Sequence, residues 1–512
     1  MQTNKDPGRQ RVITRLASFG IGCLCLAFAI PLAAYTYMGS FMRIIGDDYC
    51  YTAILRQFGF LMTQWQSYVA IGGLNGNRYS MILFSTLVGL FGPKANAALP
   101  GLALLIWLAG LAWAWRNGTR LAGFPRVRLF WLLAAEVLVF FTLSQAPDLD
   151  QVLYWRTGML NYLAPIISGT ILLGFILWQI NRPRARVILL GATFLLALIS
   201  AGFSEVGAVA HISGLSCLMV WCGYEAWRRG RKMTPNSTHS MRLIAPSVCA
   251  LVGSLAALML LAFSPSTHLR MQSMPPPASL LSTVGIAIYS TRIFIVSVTI
   301  KRMVVPNLLL FCIALASGTL MAAWASRIEN PRPIMSAGKW LLTLAGIIVA
   351  CCVIVFACML PNAYVQSGYP ELRALIIPRF VLVTSTAGCG WLTGWFVHSR
   401  LARRPRIVQQ VASLLAGLIL VAGAVSPLYS TSQILSRAPL FTKWASLWDQ
   451  RDQLIRYAAS YNQGSLQVME LDHIIPRVGE LQIGNWYTQC ADQYYGIQIL
   501  PNLPGWDPDS TP

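Results

Sequence analysis

Long apolar runs alternate with short polar segments from Leu16 to Leu428, and this alternation organises the chain. Most of the runs can cross roughly 30 Å of hydrocarbon as helices. They fall near residues 17–38, 97–115, 129–145, 163–180, 187–203, 206–225, 243–263, 306–325, 340–360, 376–397 and 408–428, which predicts eleven crossings. Two apolar stretches do not fit this series. Residues 79–91 are short for a crossing, and 280–300 carry Arg292 near the middle and run into Lys301-Arg302. Counting either one would invert everything after it, so both are read as interfacial or re-entrant helices. The expected fold class is an all-α polytopic membrane protein over residues 1–428, with a small extracytoplasmic α/β tail at 429–512.

Charge supplies the orientation. The chain carries a formal net charge of +21, and its Lys and Arg gather in short loops between the runs. The clusters are Lys5 to Arg15, Arg116 to Arg128, Arg182 to Arg186, Arg228 to Lys232, Arg327 to Lys339, and Arg400 to Arg406. Placing all six in the cytoplasm satisfies the positive-inside rule. The N-terminus is then cytoplasmic, the C-terminus extracytoplasmic, and the location the cell's inner (plasma) membrane. No basic face with interleaved aromatics occurs, so the excess charge reads as topology, with no nucleic acid partner. The first run follows basic residues as a secretory signal would, but its length and the crossings after it favour an uncleaved helix.

The tail is the one segment polar enough to stand apart. Trp444, Leu447, Leu454, Ile455 and Tyr457 recur at helical spacing, and short β-like runs follow around 466–471 and 480–486. Residues 501–512 read as loop. About 80 residues make a marginal core, so the tail is expected to rest on the membrane part. Most of the 12 cysteines lie in apolar runs as small hydrophobes, and no Cys/His spacing suggests zinc. Cys50 and Cys490 both fall outside the cytoplasm, which leaves a disulfide between them open.

With that topology, one face collects the chemistry. Only 18 Asp and Glu occur in the chain, yet Asp47 and Asp48 stand side by side just past the first crossing. Such a pair serves as a general base, a metal ligand or a contact for a polyhydroxy ligand; as structure alone it would cap the helix that follows. Loop one (39–96) also holds Asn77 and Arg78. Arg270, Arg292, Arg373 and Arg379 lie in or beside outer loops against the positive-inside trend, as forks for a phosphate would. Arg379 also fits simple snorkelling from a helix end. Tyr154, Trp155 and Asn161 suit sugar stacking and hydrogen bonding as well as an interfacial aromatic belt. Glu205, His211 and Glu136 are lining or helix-packing groups, and His268 stands near Arg270 as a candidate ligand contact.

Four short motifs in order give a resemblance. They are Asp-Asp-Tyr in loop one, Tyr-Trp-x-x-Gly-x-x-Asn-Tyr-Leu-x-Pro at 154–165, Gly-x-x-Glu at 202–205, and Ser-Pro-x-x-x-x-Arg at 264–270. Together with the span pattern, over about residues 1–400, the chain resembles the GT-C superfamily of membrane glycosyltransferases, specifically its loosely characterised bacterial members. The resemblance implies a polyprenyl-phosphate sugar donor and inverting transfer on the non-cytoplasmic face to an envelope glycan, lipid or protein acceptor, as in polysaccharide biosynthesis. It implies Asp47 or Asp48 as base, with a slight preference for Asp47, and Arg270 as the phosphate clamp with Arg292 or Arg373 helping. Arg78, Tyr154, Trp155, Asn161, Glu205 and His268 complete the implied contacts. Some members of this architecture use a divalent metal and others do not, and no third acid near Asp47 and Asp48 in sequence requires one. The chain departs from the pattern with Thr267-His268 where related sequences tend to carry Gly-Asn, and with Phe203-Ser204 where Asn is common. The rival reading is a transporter or flippase of a lipid-linked or anionic substrate, which intramembrane Glu136, Glu205 and Arg292 would suit. A non-catalytic scaffold is a third.

Overall fold

The structure is a computed structural model that describes residues 7–70, 76–121, 128–180, 186–229, 235–272, 276–328, 336–482 and 484–501. It is almost wholly helical. The order is α1 (Pro7–Gly39), α2 (Asp48–Val69), α3 (Tyr79–Gly89), α4 (Ala95–Leu121), α5 (Arg128–Ser144), α6 (Leu149–Leu153) and α7 (Arg156–Gly158). A π-turn at Met159–Leu163 then leads into α8 (Ala164–Gln179), α9 (Arg186–Ala201), α10 (Glu205–Arg229), α11 (Pro235–Ala262), α12 (Pro265–Gln272) and α13 (Leu280–Ile293). A second π segment, Phe294–Arg302, precedes α14 (Val304–Ile328), α15 (Ala337–Val365), α16 (Ile376–Leu401), α17 (Arg406–Gly423), α18 (Val425–Leu435) and α19 (Ala438–Ser460). The chain closes with β1 (Ser465–Val468), α20 (Trp486–Tyr495) and β2 (Gln498–Pro501).

Among the described residues, ten helical stretches are long and apolar enough to cross a membrane, and the fold is that of an all-α polytopic membrane protein. Their lipid-facing sides carry exposed Leu, Ile and Val, as a solvent of acyl chains allows. Three further apolar helices, α3, α5 and α9, are shorter than these. The stretch Leu280–Lys301, expected to stay on one face, is one of the ten by length and composition. The Ala278 amide donates to the Tyr364 carbonyl at 3.2 Å, so α13 starts beside the finish of α15. Its π segment ends where α14 begins, and α14 runs parallel to α16. Glycines set that close contact: a Cβ on Gly390 would fall 2.6 Å from the Phe311 carbonyl oxygen, and one on Gly394 2.0 Å from that of Leu315. α13 and its π segment make one continuous helical run, which leads into α14.

Loop one folds as two short helices. Gly59 sits at φ 70° inside α2, a left-handed conformation that breaks the ladder. The Thr63 hydroxyl donates to the freed carbonyls of Gly59 (2.7 Å) and Ile54 (3.3 Å), which fixes the fold-back. α3 is 11 residues long, and its start docks on the α9–α10 corner through Tyr79 and Ser80, whose hydroxyls donate to Leu198 and Ile199 carbonyls at 2.7 Å.

Residues 438–501 lie on this acid-bearing end and share its apolar core. Phe441, Trp444 and Trp448 pack with Tyr35, Met42, Ile44 and Tyr154. Trp448 Nε1 donates to the Ile44 carbonyl at 3.0 Å, and two bidentate pairs, Arg43–Asp449 and Arg437–Asp150, tie α19 to loops one and two. The expected strand at 480–486 is absent among the described residues. Glu480 instead pairs with buried Arg451 at 3.0 Å, and α20 starts at Trp486. The partner of β1 is β2, pairing in parallel from Ser465 with Gln498 to Val468 with Pro501. A disulfide joins Cys50 on α2 to Cys490 on α20.

Candidate functional site

The turn Gly46-Asp47-Asp48 gives its two acids opposite surroundings. Gly46 takes φ +51°, which swings the chain so that Asp48 points into the protein. Asp48 is 0% exposed. Its Oδ1 accepts from the Thr157 hydroxyl at 2.7 Å and the Thr157 amide at 3.2 Å, with Arg156 Nε at 3.6 Å. Arg156 also donates to the Asp48 carbonyl (2.8 Å) and to Thr52 Oγ1 (3.0 Å). Burial raises the Asp48 carboxyl, against Arg156 and Thr157, which favour its charge. Asp48 is therefore an anchor between loops one and two.

Asp47 is the half-exposed member of the pair. It occupies the N-cap position of α2 but makes no side-chain cap bond, and no side chain among the described residues donates to its carboxylate. The capping alternative fails on that geometry. Burial, then the neighbouring Asp48 charge, push its carboxyl up to about 6, while Arg373 acts in the other direction. A carboxylate of that basicity is ionised at neutral pH yet accepts a proton better than an ordinary Asp.

Arg373 closes one flank. Its Nη1 donates to Gln151 Oε1 at 2.9 Å, it pairs with Glu371, and its guanidinium stands 5.2 Å over the Trp155 ring. Gln151 in turn donates to the Pro476 carbonyl of the tail at 2.8 Å. The other flank is reached one helical turn along α2, where Tyr51 neighbours a charged cluster. Glu205 at the start of α10 accepts from Asn77 Nδ2 (2.8 Å) and from Arg78 Nε (3.0 Å), with Arg78 Nη2 at 2.8 Å. Arg270 from α12 joins them. Burial and the adjacent Arg78 guanidinium lower its affinity for a proton, partly offset by Glu205, Tyr162 and Tyr51. Arg78 pairs with Glu205, and Arg270 stands within electrostatic reach of both, which brings two guanidiniums of the kind that bind an oxyanion to one cluster.

Below this cluster an apolar cavity of about 630 Å³ runs into the bundle. Its near wall holds Pro165 and Gly207, three and two residues past Tyr162 and Glu205; its far wall reaches Thr119, Leu218 and Trp391. His211 lines it with Nε2 held 3.1 Å from the Pro165 carbonyl oxygen. Over about 12 residues of α10 that is on the order of 18 Å of depth.

The remaining candidates are placed elsewhere. Tyr154 packs edge-on to Phe441, 5.8 Å between centroids, in the core beneath the tail. Asn161 is buried in the π-turn. His268 is exposed on α12, its Nδ1 3.4 Å from Gln272 Nε2. Arg292 is exposed on α13. Arg379 does not snorkel. It is fully buried, 5.0 Å over the Phe294 ring, with Nη1 3.4 Å from Thr299 Oγ1. Glu136, also buried, borders a second cavity beside α1 and α4. Arg156 and Thr157 do not stand out in the sequence, because the motif at 154–165 leaves both as variable positions. An arginine next to loop-two aromatics, against the positive-inside trend, was the available signal. Among the described residues, no group of three His, Cys, Asp or Glu gathers as metal ligands, and Asp48 is already committed to Thr157 and Arg156.

Known proteins add no identity at this point: no protein-family model, no curated protein and no solved structure matches the chain.

Proposed function

We propose that the protein is a membrane glycosyltransferase of GT-C type that moves a sugar from a polyprenyl-phosphate donor to a hydroxyl acceptor at the extracytoplasmic face. The observation that carries this reading is one arrangement: the open Asp47 carboxylate and the Arg78–Arg270–Glu205 cluster sit at the same end of the bundle, above an apolar cavity. Such a cavity fits a polyisoprenyl chain in its chemistry, and the two arginines fit the phosphate that the chain carries.

The mechanism follows from those roles. Asp47 accepts the proton of the acceptor hydroxyl as its oxygen forms a bond to the anomeric carbon. The bond from that carbon to the phosphate oxygen breaks, and its electron pair stays on the phosphate. Arg270 and Arg78 stabilise the charge that develops there. Phosphate leaves without protonation, so one carboxylate suffices and the attack inverts the anomeric centre; a glycosidase needs a second carboxyl as acid. Arg373, stacked on Trp155, holds the loop-two wall of the pocket and keeps Asp47 charged.

The test uses the full chain in lipid nanodiscs with decaprenyl-phosphate-linked sugars and an envelope extract as acceptor source. Parent protein is expected to consume the lipid-linked sugar, Asp47→Asn to lose turnover while retaining decaprenyl phosphate binding, and Arg270→Ala to lose that binding. Unchanged consumption in Asp47→Asn overturns the reading. Transbilayer movement of lipid-linked sugar without its consumption would establish the flippase instead.

A further inference from the structure

The strip of tail that lies against the Asp47 turn carries polar groups that the donor side does not use. Val478 and Gly479 close over Gly46, where a Cβ would stand 3.1 Å from Val478 Cγ1 and 3.6 Å from the Gly479 carbonyl oxygen. Gly479 in turn lies flat on Tyr487, so close that a Cβ there would fall 2.0 Å from the phenol. Tyr487 heads a row of side chains. Its hydroxyl accepts from Asn485 Nδ2 at 2.7 Å, and Asn485 Nδ2 also donates to Gln482 Oε1 at 2.9 Å. Gln482 Nε2 donates to Glu470 Oε1 at 2.5 Å and stands 3.4 Å from His473 Nε2. The Gln482 backbone is pinned, with its amide donating to Thr488 Oγ1 at 3.0 Å and its carbonyl accepting from that hydroxyl at 2.8 Å.

The row is held but not sealed: Glu470, Gln482, Asn485 and Tyr487 are half-buried, and Trp486 and His473 are exposed beside them. Burial comes first in pushing the Tyr487 phenol up, followed by Glu480, Asp47 and Glu470, so Tyr487 lies within electrostatic reach of both Asp47 and Glu470. A single carboxylate, two amides and aromatic rings on one ledge alternate donors and acceptors around an apolar face, the chemistry that recognises sugar hydroxyls.

Charge narrows the ligand. Among the described residues from 429 onward, six Asp and Glu stand against five Lys and Arg, and Glu470, the carboxylate of the row, is held by an amide and not by a Lys or Arg. An anionic acceptor would meet repulsion on this side of the turn. We infer that the tail row is the acceptor subsite, and that it takes a neutral, hydroxyl-rich glycan whose hydroxyl it presents to Asp47. The inference rests on the glycosyl-transfer reading for what Asp47 then does, but its binding test does not.

The experiment measures binding of maltotriose, chitotriose and mannotriose to the full chain in nanodiscs by saturation-transfer NMR, next to decaprenyl phosphate in the same discs. At least one trisaccharide is expected to bind the parent, and Gln482→Ala to weaken it about tenfold. Tyr487→Phe keeps the ring and serves as the milder second variant, with the Cys50–Cys490 disulfide, read by gel shift, reporting that the tail has folded. Decaprenyl phosphate binding should be unchanged in both. If no trisaccharide binds, or Gln482→Ala binds as the parent does, the acceptor assignment is wrong whatever the donor result. If decaprenyl phosphate fails to bind while a trisaccharide binds, the donor reading falls and the subsite stands.

Discussion

On the side of the α2 turn that faces loop two, the donors are spent on Asp48, which takes Thr157 through two bonds and Arg156 as counter-charge. On the side that faces Arg373 and the tail, Asp47 receives no side-chain donor among the described residues. The residues are neighbours in sequence and of one type, so the difference lies wholly in surroundings. An acid whose oxygen is held by a hydroxyl, an amide and a guanidinium ties two loops together, whereas one that receives no side-chain donor retains its appetite for a proton. Chemistry is expected at the second and stability at the first.

Substitutions at the two positions would break that contrast most sharply. Asp47→Asn should lower transfer by about 10²–10⁴-fold, the usual share of a general base, with little change in thermal midpoint. Asp48→Asn should instead leave Arg156 buried without its counter-charge and cost about 3–5 kcal/mol of stability, read as a lowered midpoint in detergent. Equal effects of the two on both readouts would remove the distinction.

Reduction of the Cys50–Cys490 bridge, or Cys490→Ser, should rank next. Losing a disulfide of this kind costs about 2–5 kcal/mol, and the expected sign is protease nicking within 461–489 before any cut in the bundle. The smallest effect is that of pH. With its carboxyl near 6, Asp47 is protonated below that value and charged above it, so transfer should rise with pH through about 6 and then level off. Because the unfolded carboxyl ionises near 3.8, the buried charge lowers stability progressively between about 3.8 and 6 and by a constant amount above, so the loss precedes the rise in transfer. An acid limb that persists in Asp47→Asn would assign the titration elsewhere.

The membrane fold was legible because hydrocarbon imposes length and apolarity on every crossing. The expectation that 280–300 stays on one face rests on parity alone, and the stretch is among those long and apolar enough to cross. The site was legible only in part. Asp47, Arg78, Glu205, Arg270, Trp155 and Arg373 are drawn to one end of the bundle, because outer loops all meet there. His268 and Arg292 are not drawn in, since residues of one turn can face opposite ways and sequence distance carries no helical phase across a loop. Arg379 reads as a snorkelling end residue, and only packing against the π segment Phe294–Arg302 reveals it as buried. The division of labour between Asp47 and Asp48 could not be read at all, because it depends on Gly46 at φ +51° and on partners some 109 residues away.

The bridge between Cys50 and Cys490 spans 440 residues, so its closure is an event late in synthesis. At about 5–20 residues per second, Cys490 appears on the order of 20–90 s after Cys50. Until then the turn bearing Asp47 lacks its lid, its covalent tie and the loop that covers Gly46. A nascent or truncated chain can therefore insert its helices and yet hold the acid pair unfastened. α20 acts as the latch on loop one, and its synthesis becomes the step that fastens the acid pair.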